Sequence, residues 1–303
     1  MKPKVSIILL NYNNEHFTID CLKSLEKVTY PNIEPIVVDN GSKAESLNAV
    51  RGAASGSVVI LESQQNLGFT GGNNFGLKYA LDHDADYIIL LNNDTIVAPD
   101  MFDILIDTME QDPSIGVVGP KIYYYDAPKL IWSVGGQINW NNCNTSMLGL
   151  NEEDQGQYGE TPHQTDFVTG CALLARRDVW EKVGGLDENF FIYYEETEWC
   201  VRATRAGYKI VYVPKATMWH KIGLDARATT PRVYYYMTRN RLLFAWKTQA
   251  GLRSWLGIAT EFSRTLLSWS LRPKWKDRRP LRSIMLRAIK DFSTGKYGQQ
   301  VVG

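Results

Sequence analysis

The sequence predicts an α/β protein: an open, mostly parallel, doubly wound sheet with helices on both faces, followed by a C-terminal helical extension. Three observations predict it. Short apolar runs of strand length recur through the first 120 residues. Segments with apolar residues at helical spacing separate those runs, and polar turn-forming residues follow them.

Residues 5–10, 34–38, 58–61, 87–91 and 116–118 read as strands buried on both faces, the pattern of a parallel sheet. Between them Phe17, Cys21, Leu22 and Leu25 recur at helical spacing, as do Phe75, Leu77, Ala80 and Leu81, and Phe102, Leu105, Ile106 and Met109. Pro99 and Asp100 open the last of these helices. Repeated β-α-β units imply the doubly wound sheet. Residues 121–169 are aromatic, glycine-bearing and short in period, which predicts extra strands and, over 139–162, an irregular mobile loop above a site. Helices are expected at 177–183 and 195–206, a strand at 209–213 stopped by Pro214, and a helix at 231–247. Two amphipathic segments close the chain, one with Leu252, Trp255, Leu256, Ala259, Phe262 and Leu266 on a face, the other with Leu281, Ile284, Met285, Ala288, Ile289 and Phe292. The expected units are 1–250, divided into a nucleotide-binding half (1–120) and an acceptor or catalytic half (121–250), and a basic helical tail, 251–303.

Apolar residues at 44 % and charged residues at 22 % are the balance of a globular protein, and the net charge is zero. That zero hides an asymmetry. From Leu252 onward there are eleven Lys or Arg against three Asp or Glu, so the rest of the chain is acidic by the same excess of eight. Such a split suits a body that handles a metal or cationic transition state and a tail that meets an anionic surface. The four cysteines (Cys21, Cys143, Cys171, Cys200) have no metal spacing and read as reduced thiols. The start leads straight into a strand-like run with no signal peptide, and no run of about 18 apolar residues predicts a transmembrane helix. A cytoplasmic protein is expected, peripheral on the inner face of the membrane if its tail anchors it.

Ligands of a doubly wound sheet bind outside the carboxyl ends of its strands. There the sequence carries Asn11-Tyr12-Asn13-Asn14, then Asp39-Asn40-Gly41-Ser42, then residues 66–74, then Asn92-Asn93-Asp94-Thr95. Any one of these could be a turn; four in succession at one edge point to a site. No loop carries a dinucleotide or P-loop glycine pattern, so a diphosphate would need a hard divalent cation held by carboxylate oxygen. Asp94 stands where that cation is needed.

The chain resembles the family 2 glycosyltransferases of the GT-A fold, especially their rhamnosyltransferase-like and galactofuranosyltransferase-like branches. The matching stretches are 6–13 (SIILLNYN), 37–42 (VVDNGS), 66–74 (NLGFTGGNN), 90–95 (LLNNDT), 169–188 (TGCALLARRDVWEKVGGLDE), 190–202 (FFIYYEETEWCVR) and Trp219-His220. The resemblance implies an inverting, metal-dependent transferase moving a sugar, rhamnose by branch, from a UDP- or dTDP-sugar to a saccharide or lipid-linked saccharide in cell-surface polysaccharide synthesis. It implies that Asn11, Tyr12 and Asp39 line the nucleobase pocket and that Asn13, Gly41, Asn66, Gly71, Asn73 and Asn93 belong to the donor site. Asn92-Asn93-Asp94 replaces the family's D-x-D, so one carboxylate is missing; Asp94 and His220 would hold Mn²⁺ or Mg²⁺ together with the donor's phosphates. Glu196, with Glu195 second, is the implied catalytic base, while Glu198 is placed to pair with Arg202 one helical turn on. Tyr193, Tyr194 and Trp219 are candidates to stack on an acceptor sugar.

The tail combines amphipathic helices with Trp255, Trp269, Trp275 and a basic cluster, a pattern of interfacial membrane binding; packing on the domain or a homodimer contact is the alternative. No recognition motif accompanies the charge, so nucleic acid is not an expected partner. Two rival functions share the fold: a sugar nucleotidyltransferase, which would carry a glycine-rich loop where Asn11-Tyr12-Asn13-Asn14 stands, and a non-catalytic carbohydrate-binding protein.

Overall fold

A computed structural model describes residues 2–224 and 230–302. The first part runs β1 (Val5–Asn11), α1 (Glu15–Leu25), β2 (Ile33–Asn40), α2 (Ala44–Ala53), β3 (Val59–Ser63), α3 (Gly68–Asp82), β4 (Tyr87–Leu91), β5 (Thr95–Val97), α4 (Met101–Gln111) and β6 (Ile115–Tyr124). The middle contributes β7 (Ile131–Ser133), β8 (Gly136–Asn139), β9 (Asn144–Met147), β10 (His163–Gln164), β11 (Ala172–Arg176), α5 (Arg177–Val183), α6 (Glu195–Arg205) and β12 (Lys209–His220). Helices α7 (Pro231–Lys247), α8 (Leu252–Leu271) and α9 (Leu281–Ser293) follow, with a 3₁₀ segment, Pro273–Arg278, between the last two.

The sheet order is β10-β12-β6-β11-β4-β1-β2-β3, with β5 attached to β12 and β7 to β6. Strands β1 to β4 are mutually parallel, β11 inserts antiparallel between β4 and β6, and β12 runs parallel to β6. Because side chains alternate across a strand, the continuous apolar runs feed two cores. Ile8, Ile36, Val38, Ile88 and Leu90 enter one cluster; Ile7, Leu9, Val37, Ile89 and Leu91 enter the other, with α1 and α4. Both faces are covered, as the periodicity predicts.

The structure departs from expectation at four places. Pro214 does not end its strand: β12 continues to His220, and the register against β6 shifts between Val213 and Thr217, a bulge of the kind that admits proline. That continuation carries His220 to the sheet edge. The stretch 139–162 is tied down rather than looped freely. Its hairpin β8–β9 is followed by turns in which Asp154 accepts from Lys121 Nζ at 2.8 Å and from the Tyr123 hydroxyl, and Asn151 Oδ1 accepts from Tyr124 Oη at 2.6 Å. Helix α3 begins at Gly68, so Gly71, Gly72 and Asn73 lie inside it. A Cβ on Gly72 would run into Leu10, so that glycine seats the helix on β1, while the Asn73 amide donates within the helix to Phe69 O at 2.8 Å.

The fourth departure is the tail. Ile258, Phe262 and Trp269 of α8 and Leu281 and Met285 of α9 join the main core cluster, so the extension packs on the domain. In α9 the expected face turns inward. In α8 the inward residues are Ser254, Ile258, Phe262 and Trp269, while Leu252, Leu256 and Ala259, expected beside Trp255 and Phe262, are exposed.

Candidate active site

A cavity of about 510 Å³ opens at the carboxyl edge of β4, between the β8–β9 hairpin, the start of α6, the end of β12 and helix α7. Asp94, His220, Tyr194, Glu195 and Glu196 line it together, although they come from segments far apart in the chain. Phe69, Trp132, Thr145, Met147, Thr169 and Met237 complete much of its wall.

At one end His220 Nε2 lies 3.0 Å from Asp94 Oδ1. That is a hydrogen-bonded contact, and it also equals the roughly 3.0 Å between two cis ligands of an octahedral ion each at about 2.1 Å, so the spacing is compatible with a shared divalent cation. His220 is buried, and its Nδ1 has no hydrogen-bond partner among the described residues. Instead the Trp132 ring packs edge-on against the imidazole at 4.5 Å, and the Asp94 carbonyl accepts from the Lys221 amide at 2.7 Å, which locks β12 to the loop after β4. No group of three acidic, histidine or cysteine ligands forms among the described residues. The protein thus offers a carboxylate oxygen and an imidazole nitrogen, a set suited to a borderline ion such as Mn²⁺, with oxygen from a ligand to complete the shell.

At the other end stand Glu195 and Glu196, the first residues of α6. Glu195 is fully buried, its Oε2 has no partner among the described residues, and burial first, then the charge of Glu196, raises its pKa well above the usual carboxylate range near 4.5. A carboxyl that keeps its proton when the unfolded chain has released it binds more protons native than unfolded. Stability is therefore lost as pH climbs from about 4.5 toward the raised native value. Glu195→Gln keeps the shape and removes that loss. The variant should melt with the parent near pH 4.5 and above it at pH 8, each pH unit within the window being worth at most about 1.4 kcal/mol. Equal melting temperatures at both pH values would show that Glu195 ionises freely.

The helix that carries the pair has an unusual entry. Phe191, Tyr193 and Tyr194 all have left-handed backbone, at φ of 66, 70 and 73°. Non-glycine residues are strained there, and three in four positions need external support. Helix α7 supplies it. Asn240 Nδ2 reaches the carbonyls of Phe190, Ile192 and Tyr193 at 3.0, 2.7 and 2.8 Å. Arg239, fully buried over the rings of Tyr235 and Tyr236, donates to the carbonyls of Asn189 and Phe190 at 3.1 and 2.9 Å, and to Gly298 O at 2.6 Å. From the other side the first amides of α3, Phe69 and Thr70, donate to Phe191 O at 3.0 and 3.3 Å. The sequence reading did not single out Arg239 or Asn240. Its only available signal was a charged and an amide residue side by side in an otherwise aromatic and aliphatic helix.

The expected nucleobase residues form a wired edge outside this cavity. Asn11 is buried; its amide donates to Asp39 Oδ1 at 3.0 Å and Ser42 Oγ at 3.2 Å, while its carbonyl accepts from Thr18 Oγ1 at 2.8 Å. Asn93 donates to the same Thr18 hydroxyl at 2.8 Å, and Asp39 Oδ2 accepts the Ser42 amide at 3.0 Å. The chain Asn93–Thr18–Asn11–Asp39 thus links the end of β4 to the ends of β1 and β2. Tyr12 projects from it into solvent, while the exposed Asn13 stays tied in, its Oδ1 accepting from the Lys43 amide at 2.8 Å and its amide donating to Ser42 Oγ at 3.0 Å. Gly41, at φ 76°, lies so close to Gln65 that a Cβ would sit 2.7 Å from its carbonyl carbon, and Asn66 Oδ1 caps the Gly68 amide at 2.8 Å. Gly41, Asn66, Gly71 and Asn73 therefore shape the edge through backbone and packing; Gly71 and Asn73 are buried inside α3 and present nothing to the cavity.

Two acceptor candidates are corrected. Trp219 does not line the cavity: alternation along β12 points it to the face opposite His220. Tyr194 borders the cavity but its ring is buried against Phe244 and its hydroxyl is spent on Cys143 O at 3.1 Å. The aromatic residue beside the Asp94–His220 pair is Trp132. Glu198 pairs with Arg202 as expected, at 2.9 Å, and Arg202 ties Val183 and Gly185 to α6. All four cysteines are free and buried.

The open, mostly parallel sheet covered by helices on both faces is the GT-A fold. Residues 6–184 match the profile of Glycosyl transferase family 2. The chain belongs to that family and is a glycosyltransferase. It is 24 % identical over 266 residues to the dTDP-rhamnosyl transferase RfbF of Shigella flexneri, covering 83 % of each chain. It is 28 % identical over 241 residues to the N-acetylglucosaminyl-diphospho-decaprenol L-rhamnosyltransferase of Mycobacterium tuberculosis, covering 73 % of this chain and 76 % of that one. Among solved structures the fold matches the mannosyltransferase PcManGT of Pyrobaculum calidifontis, in complex with GDP-Man and Mn²⁺, with a TM-score of 0.59 at 14 % identity over 98 % of this chain and 88 % of that one. It also matches S. aureus TarS 1-349 with UDP-GlcNAc, with a TM-score of 0.58 at 17 % identity over 95 % and 80 %. Family membership sets aside the nucleotidyltransferase and the non-catalytic readings.

Proposed function

We propose that this transferase moves a deoxyhexose, rhamnose in the first instance, from a dTDP- or UDP-sugar to a saccharide hydroxyl, free or lipid-linked, with inversion and with a divalent cation. The observation that carries the reading is the single cavity in which the Asp94–His220 pair faces the Glu195–Glu196 pair. The names of the two rhamnosyltransferase relatives support the sugar, and that of RfbF supports the dTDP donor.

Asp94 and His220 would hold the cation, which when bound offsets the charge that grows on the leaving diphosphate. Asp39, fixed in place by Asn11 through the hydrogen-bonded chain described above, would orient the base edge of the donor. Glu196 takes the proton of the acceptor hydroxyl as its oxygen bonds to the anomeric carbon and the bond from that carbon to the diphosphate oxygen breaks. One displacement at one centre inverts it and needs one base. A neutral Glu195 beside Glu196 keeps the entrance of α6 from holding two adjacent negative charges.

The reading is tested by incubating the protein with dTDP- and UDP-sugars and Mn²⁺ and measuring nucleoside diphosphate release; release from none of them in the presence of a saccharide acceptor overturns it. Because the protein supplies only two ligands, metal and nucleotide should bind as a coupled pair. Calorimetric titration of dTDP with and without Mn²⁺ should differ by about five- to a hundredfold in Kd, the usual span of coupled binding. Asp94→Asn or His220→Ala should each erase that difference while leaving metal-free nucleotide affinity in place.

A further inference from the structure

We propose that the outer face of α8 and the 3₁₀ segment after it dock this protein on an anionic lipid bilayer. The observation is a stripe that the fold leaves outside. Leu252, Leu256, Leu267 and Leu271 are 75, 59, 59 and 74 % exposed. With Ala259 and Ser263 they fall on one side of a 20-residue helix, opposite the residues that enter the core. A single exposed leucine is ordinary; a stripe of them along one helix face is a contact surface.

Charge identifies the partner. Of the three acids in the tail, the fold pairs two with partners of its own. Glu261 accepts from Arg241 Nη1 at 3.0 Å and from Asn142 at 2.8 Å, and buried Asp291 accepts from the Tyr235 hydroxyl at 2.7 Å. Asp277 is exposed, and Glu261 stays partly exposed while its charge is met by Arg241. The exposed cations beside the stripe, Arg264, Arg272, Lys274 and Lys276, have no acidic partner within ion-pair distance among the described residues. Between α8 and the 3₁₀ segment Arg264 and Arg272 border a groove of about 600 Å³ floored by Trp269 and edged by Trp275 and Leu271, with the Arg241-paired Glu261 at its margin. Apolar side chains flanked by unpaired cations and interfacial tryptophan match the boundary between acyl chains and anionic headgroups. A second copy of the chain would bring the same cations face to face and repel. No helix among the described residues is long and apolar enough to cross a membrane, so the contact is with its surface.

The inference is independent of the catalytic reading, because docking needs neither donor nor metal. The test is flotation of the full chain, without nucleotide, on phosphatidylcholine vesicles and on vesicles containing phosphatidylglycerol. Binding is expected on the anionic vesicles, falling as salt rises, and little on the neutral ones. Leu267→Asp and Leu271→Asp should each lower partitioning about tenfold, the effect of withdrawing one leucine side chain from the acyl boundary. The double charge reversal Arg264→Glu, Arg272→Glu should abolish the preference for anionic lipid, and all variants should keep the parent's melting temperature because these side chains touch no core. Equal flotation on both vesicle types overturns the proposal, as does absence from both. So does a parent that scatters light as a dimer which Leu267→Asp dissociates.

Discussion

Glu196→Gln is expected to reduce sugar transfer by about 10²- to 10⁴-fold in kcat, the contribution of a positioned general base, with donor affinity within about twofold of the parent. The argument is one of placement. Both glutamates line the cavity with the Asp94–His220 pair, but Glu195 is buried and its carboxyl is pushed well above the usual range, whereas Glu196 is half-buried. An amide keeps the volume of a glutamate but cannot take the acceptor's proton, so the loss should appear in kcat rather than in KM for the donor. Glu195→Gln provides the contrast: it removes a carboxyl whose burial disfavours the charged form, and its activity should stay within about tenfold of the parent. Stopped assays of nucleoside diphosphate release with each variant, beside calorimetric nucleotide titrations, distinguish the two. Near-normal turnover in Glu196→Gln together with collapse in Glu195→Gln would reverse the roles.

The fold of the first 120 residues was legible because one physical rule governs it. A strand buried on both faces must be apolar along its length, and the residues that leave it must turn, so the runs ending at Asn11, Asn40, Ser63 and Leu91 mark the edge where ligands gather. Single residues at that edge were less legible. Polar type does not reveal whether a side chain faces a ligand or is consumed by its neighbours, and Asn11 and Asn73 are consumed. His220 came within reach only through family resemblance: it lies 126 positions from Asp94, and the bulge at Pro214 that brings the strand to it reads as a stop. The tail misled for a related reason. Periodicity located the helices, but a helix with leucine and tryptophan on most sides has no unique apolar face, and the choice is made by what it packs on. The Arg239–Asn240 clamp was missed because its partners are main-chain carbonyls, which have no signature in composition or spacing.

That clamp bears on activity as directly as the acids do. Asn240→Asp should lower kcat by about 10²-fold, the effect of misplacing a catalytic group by roughly an ångström, and destabilise the protein by about 2–4 kcal/mol through loss of a buried donor and burial of a charge. The amide of Asn240 faces three carbonyls, those of Phe190, Ile192 and Tyr193. A carboxylate there has only acceptors to offer and would face them with like polarity. The segment it holds has left-handed backbone at Phe191, Tyr193 and Tyr194, and it relaxes once the hydrogen bonds are gone. Because Tyr194 is the N-cap of α6, relaxation swings Glu195 and Glu196 before it disturbs Asp94, which is held by β12 through the Lys221 amide. Metal-coupled nucleotide binding should therefore survive while transfer falls, a division that general unfolding cannot produce. The measurement is kcat and nucleotide Kd on the same preparation, well below its melting temperature. Arg239 gives the companion case. It spans the carbonyls of Asn189 and Phe190 on one side and Gly298 on the other, so it ties the segment before α6 to the residues after α9. Arg239→Lys keeps the charge but not the fork, and should reproduce the kcat loss of Asn240→Asp in weaker form. If both variants lose nucleotide binding in step with turnover, the clamp supports the whole fold rather than the base.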